Sequence, residues 1–192
     1  MASTRSPQAI WPHGTSADIP TVGGTVTNSL VNSIELYLDN DNQVESGWYL
    51  DAGRNRFNPF ATSSYNGVYT IYEAVAPAGN FTFKYTVKYS ETGCTVGNPC
   101  FIAYADNAGG NYMTFGMPYA TFPVGYSITD VERHDYSDNF SGTPTFTNLQ
   151  SLSSTAWSYW PAAVCGGSDD PLYGQTYFTN PTKVTVVVGS SC

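Results

Sequence analysis

Between Phe81 and Tyr89 the chain alternates without interruption. Phe81, Phe83, Tyr85, Val87 and Tyr89 fall on one side, and Thr82, Lys84, Thr86 and Lys88 on the other. A two-residue period marks a β-strand with one buried and one wetted face. Gly67 to Val75 reads as a second strand. The link between them, Ala76-Pro77-Ala78-Gly79-Asn80, has the turn chemistry of a hairpin loop, so the sequence predicts that these two strands pair.

Composition extends the argument to the whole chain. Asp, Glu, Lys and Arg make up 11% of the residues, against about 25% in an average soluble domain. Helix faces draw on Glu, Lys and Arg, which are scarce here. Tyr (15) and Phe (10) favour strands, and Gly (18) and Pro (12) supply turns. A further strand is expected over Asn32–Leu38, with Ile34, Leu36 and Leu38 facing inward. It runs into an acidic polar loop from Asp39 to Glu45, followed by a short strand near Trp48. Phe101–Ala105 and Asn111–Met117 form a second predicted hairpin, joined by Asp106–Gly110; 124–131 and 183–188 complete the main set. From Arg133 to Asp170 the pattern is weakly periodic, which predicts loops with short strands and one helical turn around 148–156. The expected fold class is all-β: an antiparallel β-sandwich, or jelly-roll-like domain, with long loops. A chain of 192 residues suffices for one sizeable core. Residues 1–20 are read as an N-terminal extension and 21–192 as a single domain.

The net charge of −8, with seven Lys and Arg scattered along the chain, provides no basic patch for a phosphate backbone. Nucleic acid is therefore excluded as a partner. No apolar run approaches the ~20 residues of a membrane span, so membrane insertion is not expected. The opening stretch MASTRSPQAIW lacks the apolar segment of a signal peptide. An extracellular type of composition without an export signal points to an extracellular location or a virion surface.

The four cysteines are Cys94, Cys100, Cys165 and Cys192. Gly97 and Asn98-Pro99 make 94–100 a tight loop, so the favoured pairing is Cys94–Cys100 with Cys165–Cys192. Zinc is the rival, but no C-x-x-C pair or nearby His offers ligand spacing. Calcium could use Asp39, Asp41 and Glu45, or Asp135 and Asp138. The register lacks the glycine of a calcium loop, and a solvated acidic turn is the preferred reading. No metal and no cofactor is expected.

Catalysis finds little support. His134, in Glu132-Arg133-His134-Asp135, could serve a serine triad, but no nucleophile elbow accompanies it. The ordinary reading is a charged surface segment with local ion pairs. Among possible carboxylate pairs, Glu132 with Asp135 or Asp138 is the leading candidate for glycoside hydrolysis. Spacing alone does not place the two groups in one cleft. The aromatic residues offer more. Trp157, Tyr159 and Trp160, with Trp48 and Tyr49, are the candidate ligand-binding residues, since exposed rings stack on sugars and anchor protein interfaces.

Tyr65-Asn66-Gly67-Val68-Tyr69 followed by Ala76-Pro77-Ala78-Gly79-Asn80-Phe81-Thr82-Phe83-Lys84-Tyr85 resembles a hairpin of starch-binding modules and related immunoglobulin-like domains. That resemblance implies a carbohydrate-associated fold. No tryptophan pair matches the starch sites, so it assigns no binding residue. The resulting expectation is a non-enzymatic surface β-domain for attachment or assembly, such as a capsid spike or decoration protein, contacting a glycan or protein receptor and open to forming a homo-oligomer. A secreted lectin or carbohydrate-binding module is the alternative, and a glycan-active hydrolase or lyase the third reading.

Overall fold

The computed structural model describes residues 2–5, 13–39, 42–54, 56–65, 67–75, 79–92, 99–107, 110–118, 126–154, 156–160, 164–168, 175–180 and 183–187. The N-terminal third contributes β1 (Ala2–Arg5), β2 (Gly14–Pro20), β3 (Gly24–Thr25), β4 (Ser29–Asp39), β5 (Asn42–Asp51) and β6 (Phe57–Tyr65). The middle contributes β7 (Val68–Glu73), β8 (Thr82–Ser90), β9 (Cys100–Asn107), β10 (Gly110–Pro118) and β11 (Tyr126–Arg133). The last third holds β12 (Asn139–Phe140), β13 (Thr145–Leu152), β14 (Trp157–Tyr159), β15 (Val164–Ser168), β16 (Gln175–Asn180) and β17 (Lys183–Val187).

Two antiparallel sheets result. The first runs β15-β1-β11-β4-β5-β6-β7 and the second β10-β9-β8-β2-β13-β17-β16, with β14 attached to β13; β12 and β3 form a small separate ladder. This is the expected all-β antiparallel class. The core lies between the sheets. The first contributes Leu30, Ile34 and Leu36 from β4 and Val44, Trp48 and Leu50 from β5; the second contributes Phe83, Tyr85 and Val87 from β8 and Phe101 and Ala103 from β9. The apolar face of 81–89 is directed inward as expected; on the opposite face Thr82 and Lys84 are exposed, but Thr86 is fully buried rather than wetted. Segment 1–20, expected as an extension, carries β1 and β2. Ala17 and Ile19 of β2 are fully buried, and β2 is hydrogen-bonded between β8 and β13.

Several expectations are corrected. β7 and β8 do not pair: β7 forms a hairpin with β6, in register Tyr65↔Val68 and Ser63↔Thr70, whereas β8 lies between β2 and β9 in the other sheet. Gly67, at φ 73°, supplies the left-handed turn that closes the β6–β7 hairpin. Alternation identifies strands but not their partners. The resemblance to a starch-module hairpin falls with that pairing. The acidic loop is also shorter than expected. β5 already starts at Asn42, so Gln43, Val44 and Glu45 are strand residues with Val44, Ser46, Trp48 and Leu50 inward. Instead of a helical turn, 145–152 is strand, with an irregularity between Thr147 and Gln150 at Asn148, φ 54°. The Asn148 side-chain amide there donates to Asp18 at 2.6 Å.

Candidate active site

The face of the first sheet that points away from the core is built by alternation. On β4, inward Leu30, Ile34 and Leu36 leave Val31, Ser33, Glu35 and Tyr37 outward; on β5, inward Val44, Trp48 and Leu50 leave Gln43, Glu45 and Tyr49 outward. On β11, Val131 is inward, so Ile128, Asp130 and Glu132 share the outer face. The register then brings acids together. Glu35 lies opposite Glu45, Asp130 opposite Ser33, and Glu132 opposite Val31. Three neighbouring strands thereby place four carboxyl groups on one face.

Their surroundings separate them chemically. Burial, then Glu45 and Glu132, push the Glu35 carboxyl well above the usual range. Burial likewise pushes Glu45 up to about 7, opposed by the Ser33 and Thr62 hydroxyls; Thr62 Oγ1 donates to Glu45 Oε2 at 3.1 Å. Asp130 is raised well above its usual value by burial and by the adjacent acids, Glu132 foremost. Glu132 moves the other way, lowered first by its hydrogen bond with His134, with a further contribution from Asp130. The His134 Nε2···Glu132 Oε2 distance is 3.0 Å, and Glu132 raises the imidazole in turn. One group is therefore favoured as a carboxylate while three neighbours are favoured as neutral acids. Glu35 Oε1 and Asp130 Oδ1 are buried without a hydrogen-bond partner.

Two hollows open on this cluster. The larger, about 320 Å³, is bounded by Val31, Tyr49, Phe60, Tyr69, Ile71 and His134, among others; the smaller, about 150 Å³, by Glu35, Tyr37, Gln43, Ile128 and Asp130. Glu45 and Glu132 line both. At the outer end of the larger hollow Arg54 binds Glu73 at 2.6 Å and the Tyr49 hydroxyl at 2.9 Å, tying the β5–β6 turn to the edge strand. Among the described residues no three acid, His or Cys side chains converge as metal ligands.

The residues singled out from sequence are dispersed. Trp48 is fully buried, its indole N–H donating to Pro20 O at 3.1 Å and its ring edge-on to Phe57. Trp160 is fully buried in the core as well. Trp157 (37% exposed) and Tyr159 (52%) stand on β14, in the other sheet. Only Tyr49 of the five lines the acid-floored cleft. Cys100 is buried and disulfide-bonded; Cys94 and Cys192 lie outside the described residues, as does the side chain of Cys165. Asp135 accepts from the Ser137 N–H at 2.8 Å, and Asp138 from the amides of Thr27, Asn28 and Ser29. Both are structural, so neither partners Glu132. Glu45 belongs to the cluster rather than to a calcium loop; Asp41 and the side chain of Asp39 lie outside the described residues. Glu35 and Asp130 went unnoticed in the sequence. Their signal was an acid flanked by apolar or β-branched neighbours within a strand, as in Ile34-Glu35-Leu36 and Thr129-Asp130-Val131.

The two-sheet architecture itself is found in other proteins. No protein-family model matches the chain, and no curated protein sequence matches it. Solved structures do. Scytalido-glutamic peptidase, in complex with a peptide-based transition-state analogue, superposes with a TM-score of 0.66 at 12% identity, covering 97% of this chain and 96% of that one. SCP-B, a member of the eqolisin family of peptidases solved with the tripeptide Ala-Ile-His, gives 0.65 at 11% identity over the same shares. The fold is thus one that these peptidases carry. That finding corrects the expectation of a non-enzymatic attachment domain, along with the virion, spike and lectin readings that went with it.

Proposed function

We propose that this chain is a carboxyl peptidase that cleaves extended polypeptide under acidic conditions. The observation that carries the reading is the wall shared by the two hollows, where Glu132, favoured as a carboxylate, stands with Glu45, whose carboxyl is pushed up to about 7. Titratable neighbours driven apart in this way divide into a base and an acid. Likeness of fold to peptidases solved with peptide ligands supports the same substrate class.

The chemistry follows from those protonation states. With a peptide bond across the shared wall, Glu132 accepts a proton from water as the water oxygen bonds to the carbonyl carbon. Glu45, neutral below about pH 7, first donates a hydrogen bond to the carbonyl oxygen and then gives its proton to the leaving nitrogen as the C–N bond breaks. A proton passing from Glu132 back to Glu45 restores the site. Burial of Glu35 and Asp130 as neutral acids keeps further negative charge away from the developing oxyanion. The Cys100 disulfide supports work in an oxidising, extracellular setting.

The test is release of peptides from acid-denatured serum albumin between pH 2 and 7. Release below neutrality is expected, with loss of at least about 100-fold in Glu132→Gln and an unchanged circular dichroism spectrum. Absence of release by the wild-type chain at every pH would sink the proposal.

A further inference from the structure

Asp130, Glu132 and His134 occupy alternate positions along the β11 line, so their side chains leave the sheet on the same face. The His134 backbone N–H donates to Ser29 O at 3.0 Å, extending the β11–β4 ladder by one residue and fixing where the imidazole starts. Its Nε2 then reaches Glu132 Oε2 at 3.0 Å. The ring is not a core element: its side chain is 47% exposed, and it lines the larger hollow beside Glu132. Packing gives no reason for an imidazole there. Arg133 between them faces the other way, bonding Tyr136 O at 2.7 Å and leaving Glu132 to His134.

We propose that His134 is a positioning residue that holds the Glu132 carboxylate in place as the base and sets the acid limit of the reaction. The inference rests on the peptidase reading for its consequence, but not for its geometry. The other titratable side chains bearing on Glu132 from this face are acids and one phenol, none of them a cation: Asp130 on the same strand, Glu35 on β4, Glu45 on β5 and Tyr69 on β7. Asp138 and Glu45 add further negative influences on His134. The imidazolium is accordingly the one hydrogen-bonding cation described for Glu132. As pH falls, a carboxylate surrounded by neutral acids would otherwise take up a proton early. With His134 charged and bonded to it, Glu132 stays ionised further into the acid range, where Glu45 is fully protonated. Base and acid are then both in their working states over a wider window.

Two variants and two readouts test this. In His134→Gln the hydrogen bond can persist but the charge cannot; in His134→Arg the charge persists. The Glu132 side-chain carbon is followed by NMR titration, assigned by its disappearance in Glu132→Gln, and the pH–rate profile is measured on acid-denatured serum albumin. In His134→Gln, Glu132 is expected to titrate closer to neutrality and the acid limb to move with it. Activity at the acid end should fall roughly tenfold, a one-unit displacement of the limb, with KM and Tm little changed; His134→Arg keeps the wild-type limb. An unchanged Glu132 titration in His134→Gln overturns the inference, as does a His134→Arg profile identical to that of His134→Gln. A displaced titration with no hydrolysis by the wild type upholds the positioning role and defeats the peptidase reading instead, so the two failures are distinguishable.

Discussion

Glu35 and Glu45 face each other directly across the β4–β5 ladder, two acids in cross-strand register on one side of the sheet. Like charges so placed repel, and the pair persists because burial keeps both carboxyls neutral over much of the pH range. Stability follows from the sign of the shift. Glu45 has its folded value raised, from 4.5 to about 7. Between those values the folded state binds more protons at this site than the unfolded chain, so the contribution of Glu45 to stability is greatest below about pH 4.5 and falls as pH rises to about 7. The span corresponds to a loss of about 3 kcal/mol. In Glu45→Gln, Tm measured from pH 4 to 8 should decline less than in the wild type. An equal slope in the two proteins would refute the assignment.

Trp160 and Trp157 sit close in sequence and differ in consequence. Trp160 is fully buried in the core, whereas Trp157 stands on a peripheral strand. Trp160→Ala should cost about 3–5 kcal/mol in denaturant unfolding, from lost transfer energy and the cavity left behind. Trp157→Ala should cost under about 1 kcal/mol. Comparable losses would mean that β14 is better covered than its exposure indicates.

The contrast shows what the sequence could express. β8 was legible because its four apolar residues, Phe83, Tyr85, Val87 and Tyr89, alternate with Thr and Lys, the pattern of a strand with one face in the core, even though Thr86 on the other face is covered too. β2 was not, since Thr15 and Ser16 are buried beside Ala17 and Ile19, and a strand with polar residues on both faces has no period to read. Glu45 reads as part of a loop because acids are scarce in strands, yet its neighbours Val44, Ser46 and Trp48 already alternate inward. The carboxyl cluster was hidden for a different reason. Glu132 was visible as a candidate acid, but its partners depend on which strands lie beside β11. That order, β1-β11-β4-β5, is a property of topology rather than of spacing.

Asp138 is a buried carboxylate with a structural task. It accepts from the Thr27 amide at 2.5 Å and from the Asn28 and Ser29 amides at 3.1 Å each, anchoring the start of β4. Burial alone would raise its pKa, but these donors outweigh it and hold the group below its usual value. A depressed folded value means that its contribution is present above the unfolded pKa and is lost as pH falls through the folded one. Asp138→Ala should therefore cost roughly 2–4 kcal/mol at pH 6, because the amides lose their acceptor. The difference from wild type should narrow in strong acid. Urea unfolding at pH 6 and pH 2 checks both parts, and a difference independent of pH would rule out the carboxylate as the cause.

Gly47 links the packing of the sheet to the chemistry on it. It is paired with Ser33, one step along β5 from Trp48 in the core and two from Glu45 in the cluster. A Cβ at this position would strike the Asn32 carbonyl and press on Ser33 Cα and Cβ at 2.6 Å. Backbone cannot yield as a flexible side chain can, so Gly47→Ala must spread β4 from β5. The expected cost is about 1–3 kcal/mol, as for other overpacked sites. The same displacement separates Glu35 from Glu45 and shifts Glu45 relative to Glu132. Hydrolysis should then fall by more than the folded fraction does, measured at a temperature where the variant remains folded. Full activity per folded molecule in Gly47→Ala would show that the spacing of β4 and β5 does not govern the site.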